Sequence, residues 1–365
     1  MADIGEIAKR AGQFYFHLEK IKAELPGRDF EWYRYYSLGN FEHFDLLLTG
    51  AHRDFDALLA GGPVLDIGCA DGDAAFFLES LGHEVHAVDF PATNINRMRG
   101  VRALKQALGS RIEVHEMDLD SQFTWPGRGY SVAMMLGVLY HLKNPFYVLD
   151  TLSKKVRYLF LSTRIARTSP RGLAFGAEPV AYLLDNNELN SDGTNFWIFS
   201  EPGLRRLIRR THWEVLDFLT LGGDSPSDPH TVANDERAFC LLRSRSRLSN
   251  VKLLEGWHGE EEAGWRWTER RFSFETLCHG RLAVEVYVSP VVIQHLGSVT
   301  LSARCGGAEF GELAIVSDGA YSYYCDLPED GAPRTVAFEL NRAIQPGRVD
   351  GRELGLVVTE IRSCR

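Results

Sequence analysis

Apolar residues recur at helical spacing from the start of the chain, at Ile4, Ile7, Ala8, Ala11, Phe14, Tyr15, Leu18 and Ile21, and the run stops before Pro26-Gly27. That periodicity predicts one amphipathic helix packed on the domain that follows it. An aromatic cluster with a single cation comes next, Glu31-Trp32-Tyr33-Arg34-Tyr35-Tyr36, and residues 44–48 and 55–59 read as short helical stretches. From Pro63 the pattern changes to alternation. Strand-like runs at 64–67, 84–88, 112–116, 132–135 and 158–162 are interleaved with helical patterns at 74–80, 94–108, 145–153 and 201–210, and strands at 213–219 and 238–242 close the series. Alternation of this kind predicts an α/β domain, a parallel sheet with helices on both faces that ends in an antiparallel pair.

Beyond the polar, basic stretch 244–249 the character changes again. Runs at 282–288, 299–303, 313–316, 321–325, 335–340 and 356–361 are short, rich in Val, Tyr and Phe, and separated by Gly, Pro or Asp turns. They predict an all-β sandwich of jelly-roll type. The domains expected are an N-terminal helical segment over 1–55, an α/β domain over 56–246 and the sandwich over 250–365. With 365 residues, 45% of them hydrophobic, the chain is long enough for more than one core. Forty basic against forty-nine acidic residues leave a formal charge of −9, which disfavours a polyanion such as tRNA as partner. No apolar run is long enough to span a membrane and the first residues lack the form of a signal peptide, so a cytoplasmic location is expected. Six cysteines without C-x-x-C spacing suggest free thiols, with neither zinc site nor disulfide framework.

Candidate chemistry begins where the first strand ends. Val64-Leu65-Asp66-Ile67-Gly68-Cys69-Ala70-Asp71-Gly72 runs from strand through a glycine-studded turn towards a helix, and Ala87-Val88-Asp89 ends the second strand in a carboxylate. This is a nucleoside-binding layout, in which Asp89 accepts from the ribose hydroxyls and Gly68 and Gly72 bring the backbone close to the ligand. The turn departs from G-x-G-x-x-G at Ala70, and the acids Asp66, Asp71 and Asp73 suit a cation better than a pyrophosphate. An NAD-type loop and a plain strand-to-helix turn are the competing readings.

Asp66-x-Gly68-x-Ala70-x-Gly72 with Asp89 resembles the cofactor loop of class I S-adenosylmethionine (SAM) dependent methyltransferases, which implies a Rossmann-like sheet and SAM as cofactor. The carboxyl ends of the strands then supply the other contacts. Phe90 covers adenine, Asp118 accepts from its amino group, the Leu119 amide donates to the ring, and the Leu136 carbonyl meets the amino end of the cofactor where Gly137 permits close approach. Gly137-Val138-Leu139-Tyr140-His141 with Asn144-Pro145, the segment 91–100 and Asp235-Glu236-Arg237-Ala238-Phe239 resemble the methyltransferase branch that contains the tRNA wobble-uridine enzymes, which transfer a carboxymethyl group from carboxy-SAM. That resemblance covers about residues 32–243 and implies cofactor contacts at Gly68, Tyr140 and Arg237. Leu136 departs from the branch's methionine and its upstream lysines have no counterpart, which makes SAM the expected donor ahead of carboxy-SAM. The tryptophans at 257, 265 and 267 and the segment 350–356 resemble jelly-roll modules found beside glycosyltransferases, although tryptophans in a sandwich are usually core.

Methyl transfer to oxygen needs alignment, exclusion of water and a proton acceptor. His141 is the candidate base and Tyr140 the orienting hydroxyl. The insert 164–199, with Arg164, Asn195 and Trp197, and also Arg237, are the candidate acceptor-binding residues. No hydrolase elbow, Walker lysine or paired metal-ligand motif competes, and no metal is expected. The reading is a methyltransferase acting on a small or saccharide acceptor, with alkylation of tRNA or a non-catalytic carbohydrate-binding role as alternatives.

Overall fold

The opening amphipathic run forms α1 (Ile4–Glu24), whose N-terminus is capped by Asp3 accepting from the Gly5 amide. The computed structural model describes residues 2–25, 29–127, 129–222, 226–245, 251–261, 265–276, 280–328, 332–347 and 350–364. Pro26-Gly27, most of the 244–249 stretch, Gly264 and Cys278 lie outside them. Two units follow one another along the chain, residues 1–244 and 245–365. Among the described residues no helix is long and apolar enough to cross a membrane.

In the first unit, α2 (Asn40–Leu47) and α3 (Phe55–Leu59) lead into the alternating region. It comprises β1 (Val64–Ile67), α4 (Asp73–Ser80), β2 (Val85–Asp89), α5 (Arg99–Leu108), β3 (Glu113–Glu116), β4 (Tyr130–Leu136), α6 (Pro145–Ser153) and β5 (Val156–Ile165). After these come β6 (Ala181–Leu183), β7 (Trp197–Phe199), α7 (Glu201–Arg210), β8 (Trp213–Leu221) and β9 (Glu236–Ser244). The sheet runs β3-β2-β1-β4-β5, all parallel, and continues through antiparallel β9 to β8. Strand order reverses beside β1, so ligands collect at the carboxyl ends of β1, β2 and β4. This is the expected α/β, Rossmann-like sheet.

Each sheet face buries its own core. Val64, Val132 and Met134 face α1, α2 and α4, while Leu65, Ile67, Ala133 and Met135 face α6 and α7. Two elements differ from the sequence expectation. Helix α5 starts at Arg99 instead of 94, because the Asn94 side chain accepts from the Asn96 and Met98 amides and Arg97 and Met98 take positive φ. The insert is not wholly irregular, since β6 and β7 form a hairpin joined to the end of β5 at Ile165–Phe199.

The second unit is all-β apart from one helix. Its strands are β10 (Val251–Leu253), β11 (Trp257–Glu260), β12 (Arg266–Thr268), β13 (Arg271–Thr276) and β14 (Gly280–Val288), then α8 (Pro290–Leu296). They continue as β15 (Val299–Cys305), β16 (Ala308–Glu309), β17 (Leu313–Ile315), β18 (Gly319–Leu327), β19 (Arg334–Leu340) and β20 (Val357–Cys364). One antiparallel sheet runs β10-β13-β19-β15 with β16 and β17 paired to β15, and the other runs β11-β12-β20-β14-β18. Alternate residues such as Phe272, Phe274, Val284, Val286, Phe338 and Val358 meet in one shared core. Trp257 and Trp267 pack against that core, and Trp257 Nε1 donates to the Ser273 carbonyl. Cys69, Cys240, Cys305 and Cys325 are buried free thiols.

A buried ion pair fastens α1 to the sheet. Lys22 Nζ lies 2.9 Å from Asp73 Oδ2 and 3.1 Å from Glu19 Oε1, with its side chain 5% exposed. Burial alone would lower the Lys22 pKa, but the two carboxylates raise it above the ordinary value. Removing one partner strands the other in a dry site. Lys22→Ala is therefore expected to cost about 3 kcal/mol in denaturant unfolding, and Lys22→Met with Asp73→Leu to recover most of it. A single variant within 0.5 kcal/mol of the parent, on the order of an ordinary surface change, would remove this role.

Candidate active site

The turn after β1 is built from residues in conformations that ordinary side chains avoid: Gly68, Ala70 and Gly72 have φ of 71°, 52° and 86°. A Cβ on Gly68 would sit 2.4 Å from Val138 Cγ2, and one on Gly72 2.7 Å from Val101 Cγ2. These glycines therefore serve the turn and its packing on the protein itself. Gly137 (φ 73°) differs, because its Cβ would point into the space beside Tyr140 Oη and Arg237 Nη1, at 3.3 and 3.6 Å. That is the position at which the backbone is laid bare to a ligand.

Asp89 holds the turn. Its Oδ2 accepts from the Ala70 amide and from Asn94 Nδ2, each at 2.9 Å, and Oδ1 accepts from the Phe90 amide at 2.7 Å. Oδ1 keeps a free lone pair. Burial raises the Asp89 pKa, against the opposing pull of these three donors. The Met117 amide donates to the Asp89 carbonyl, which sets the turn carrying Asp118 and Leu119 beside it. Asp118 Oδ1 accepts from the Asp120 amide, Leu119 is buried, and Asp120 accepts from the Lys143 and Asn144 amides, tying the β3 and β4 turns together.

The loop acids separate by role. Asp71 accepts from the Tyr33 amide (2.6 Å) and Asn96 Nδ2 (2.7 Å), and Asp73 holds Lys22, so both serve the protein and not a cation. Asp66 is different. It is 5% exposed, and its Oδ2 has no hydrogen-bond partner. Burial, with the neighbouring Asp89 and Asp73 charges, pushes its carboxyl up to about 7, although it accepts from the Ala75 amide. A carboxylate so placed lacks a cation.

The second half of the site follows β4. Leu136 ends the strand, the Gly137 amide donates to the Ser162 carbonyl, and Tyr140 and His141 sit in a 3₁₀ turn. Arg237 reaches over from β9: Nη1 lies 3.5 Å from Tyr140 Oη, while Nε and Nη2 hold Asp235 Oδ2 at 3.1 and 3.0 Å. Its partner is thus Asp235, and Glu236 pairs with Arg167. The insert clamps this turn, since the Phe196 amide donates to the Tyr140 carbonyl at 2.7 Å. His141 Nδ1 lies 3.1 Å from the Thr194 carbonyl oxygen and 2.9 Å from Thr194 Oγ1. Only an N–H can donate to a carbonyl, so neutral His141 carries its lone pair on Nε2. Burial lowers the His141 pKa, Asp192 and Thr194 oppose that, and Arg237 reinforces it.

The structure brings Asp66, Gly68, Ala70, Gly72, Asp89 and Phe90 together, and separately Gly137, Tyr140, His141 and Arg237. Tyr33, from the aromatic cluster, joins the two groups: burial and the neighbouring Tyr140 and Tyr35 push its hydroxyl up to about 12, and it also feels Arg237 and Asp89. It stays a donor at neutral pH. Three expected acceptor contacts are engaged elsewhere. Arg164 Nη2 donates to the Asp228 and Thr231 carbonyls, Asn195 Nδ2 to those of Leu189 and Asp192, and Trp197 Nε1 to that of Lys143. They frame the insert.

Two residues escaped the sequence reading. Asn94 locks Asp89 to the turn, and only the segment resemblance touched it. His43, on α2, packs its ring 4.6 Å from that of Phe239 and leaves Nδ1 buried without a partner. Burial lowers its pKa, with Glu42 opposing and Arg237 reinforcing. Nothing in the local sequence of α2 marks it.

Residues 42–217 match the family model described as a methyltransferase domain. No curated protein matches the chain. Among solved structures the chain is similar to the N-terminal domain of EvdMO1 with SAH bound (18% identity, 67% of this chain and 98% of that one, TM-score 0.37). It is similar to whole EvdMO1 (13%, 92% and 97%, 0.39) and to the magnesium protoporphyrin IX methyltransferase of Synechocystis with bound SAM (16%, 52% and 74%, 0.35). Overlaps this loose do not bear on substrate.

The raised Asp66 pKa sets a sign. Folding takes up a proton between the ordinary value of 3.8 and about 7, so stability falls as pH rises through that window. Asp66→Asn is expected to melt several degrees above the parent at pH 7.5 and close to it at pH 4; a difference independent of pH would contradict the assignment. The matched span, residues 42–217, contains the turn, Asp89 and the Tyr140-His141 clamp.

Proposed function

We propose that the first unit is a SAM-dependent methyltransferase that alkylates a hydroxyl of a small, polar or glycan-like acceptor in the cytoplasm. The observation that carries this reading is the junction of the β1 turn with Asp89, a half-buried carboxylate held by three donors with a lone pair to spare. It suits a ribose diol. The fit extends to Asp66, whose partnerless buried oxygen suits the ammonium end of SAM, and to Gly137, whose missing side chain leaves room beside Tyr140. SAM, when bound, supplies a methyl carbon already activated by its sulfonium.

The chain's own residues do the rest. Phe90 and Leu119 flank the adenine, Asp118 accepts from its amino group, and the Leu136 carbonyl faces the amino end. His141 Nε2, uncharged and fixed in direction by Thr194, takes the proton of the acceptor hydroxyl. Tyr33 and Tyr140 orient that hydroxyl, and the insert keeps water out. Arg237 offers the acceptor the edge of its guanidinium that Asp235 does not occupy. Carboxy-SAM is the second reading, favoured by the same free edge. The Asp235 pair already offsets much of the Arg237 charge, which supports plain SAM.

Calorimetry with ligand-stripped protein is expected to show SAM binding that weakens at least about tenfold in Asp89→Ala, in line with loss of hydrogen bonds to a charged group. Unchanged affinity would refute the ribose role. Label from methyl-tritiated SAM is expected in a saccharide panel and not in tRNA, and mass spectrometry of the co-purified nucleoside distinguishes SAM from carboxy-SAM. With the acceptor in hand, the acid limb of kcat is expected below pH 6.5, and His141→Gln is expected to lose that limb and about a hundredfold in kcat. Full activity across neutral pH would remove His141 as base.

A further inference from the structure

Away from the ligand end of the sheet, β2 and β3 present a cluster that methyl transfer does not use. In the parallel register His86 pairs with Glu113 and Val88 with His115, so His86, Glu113 and His115 share one face at the sheet edge. One ligand atom from each lies within 4.8 Å of the other two. Glu113 Oε2 sits between the imidazoles, 3.8 Å from His86 Nδ1 and 3.3 Å from His115 Nε2. Rings 5.3 Å apart and inclined by only 26° bring the two nitrogens to the same side.

We propose that His86, Glu113 and His115 form a binding site for a divalent transition ion of the zinc class. Zinc bonds of about 2.0–2.1 Å put neighbouring tetrahedral ligands about 3.3 Å apart, so the Glu113–His115 pair already has the right spacing. The Glu113–His86 pair closes by about half an ångström, and the two imidazole nitrogens, within 4.8 Å of each other, close by ring rotation of up to about 1.5 Å. Two further observations point to a cation. His115 Nε2 is buried, and the polar group that faces it is the Glu113 carboxylate, itself one of the three ligands. The other nitrogen of His86, Nε2, lies 3.4 Å from Glu84 Oε1, an outer carboxylate that fixes the tautomer with its lone pair on Nδ1. Two imidazoles and one carboxylate suit zinc over magnesium or calcium, and water completes the fourth position.

Opposing groups are weak. Tyr130 Oη lies 3.3 Å from His86 Nδ1, at the outer range for a hydroxyl donor, and already accepts from the Gly127 amide. Lys105 is the one cation felt by His115, and its ammonium donates to the Ile112 carbonyl. The sequence analysis expected no metal because the three ligands come from two strands 27 residues apart, with only Glu113-x-His115 as local spacing. A bound ion would brace β3, the last strand on that side of the sheet, about 10 Å along β2 from Asp89.

The full chain, stripped with chelator, is titrated with Zn²⁺ against a chromogenic competitor and followed by thermal melting. One equivalent is expected to bind at micromolar or lower concentration and to raise Tm. His115→Ala and Glu113→Gln are each expected to weaken binding at least tenfold and to lose the Tm rise, while His17→Ala, on exposed α1, behaves as the parent. Glu113 is exposed, so Glu113→Gln tests the site even where a histidine change harms folding, and circular dichroism confirms the fold of each variant. Equal zinc affinity in parent and both variants, or no binding by the parent, overturns the proposal.

Discussion

The first unit depends on one half-buried carboxylate at the end of a strand. Asp89 terminates β2, and its oxygens gather the Ala70 amide, the Phe90 amide and the Asn94 side chain. Ala70 has positive φ, a conformation that costs about a kcal/mol or more for a residue with a Cβ, and the hydrogen bond from its amide holds it there. The turn between β1 and α4 is thus preformed. On the proposed reading a nucleoside would meet a cradle already ordered by folding, which is the general route to affinity for a flexible ligand.

Burial leaves two carboxylate oxygens of the turn unsatisfied, Asp66 Oδ2 and Asp73 Oδ1, and of these two acids Asp73 has a cation beside it while Asp66 has none. Four acids lie in or beside the turn, and three have partners within the protein: Asp71 with Tyr33 and Asn96, Asp73 with Lys22, Asp89 with its three donors. Asp66 is left with an unsatisfied oxygen and a carboxyl pushed up to about 7. Of the four it is the one whose ionised form gains most from a cation arriving from outside. The N-terminal segment belongs to this arrangement, because Lys22 on α1 neutralises Asp73 and the Tyr33 amide beyond the helix donates to Asp71.

Most of the sheet was legible because it rests on patterns that burial enforces: β1, α6 and α7 have the predicted limits, β4, β5, β8 and β9 extend their predicted cores by a few residues, and β2 and β3 start one residue later than predicted. Side-chain periodicity reports which face is dry, and both faces of this sheet are. The failures arise where side chains bond to backbone. Asn94 captures two amides and delays α5, which helical periodicity cannot register. Asn195 and Arg164 look like ligand-facing polar residues in a loop, yet each satisfies carbonyls that a buried loop would otherwise strand. His43 comes from a segment with no motif, so only the fold brings it there, whereas Tyr33 belongs to the aromatic cluster that stood out in the sequence.

His141 illustrates how position, more than residue type, sets the state of a side chain. It is adjacent to Tyr140 in sequence, but its tautomer is selected by the carbonyl of Thr194, 53 residues later. Burial and Arg237 then keep the ring neutral where an exposed imidazole would be half protonated near its ordinary value of 6.5. The same insert closes over the Tyr140 turn through the Phe196 amide. In the proposed reaction, proton acceptance and exclusion of water would therefore be coupled through one segment, and loosening the β6–β7 hairpin would alter the direction of the His141 lone pair and the wetness of the site together.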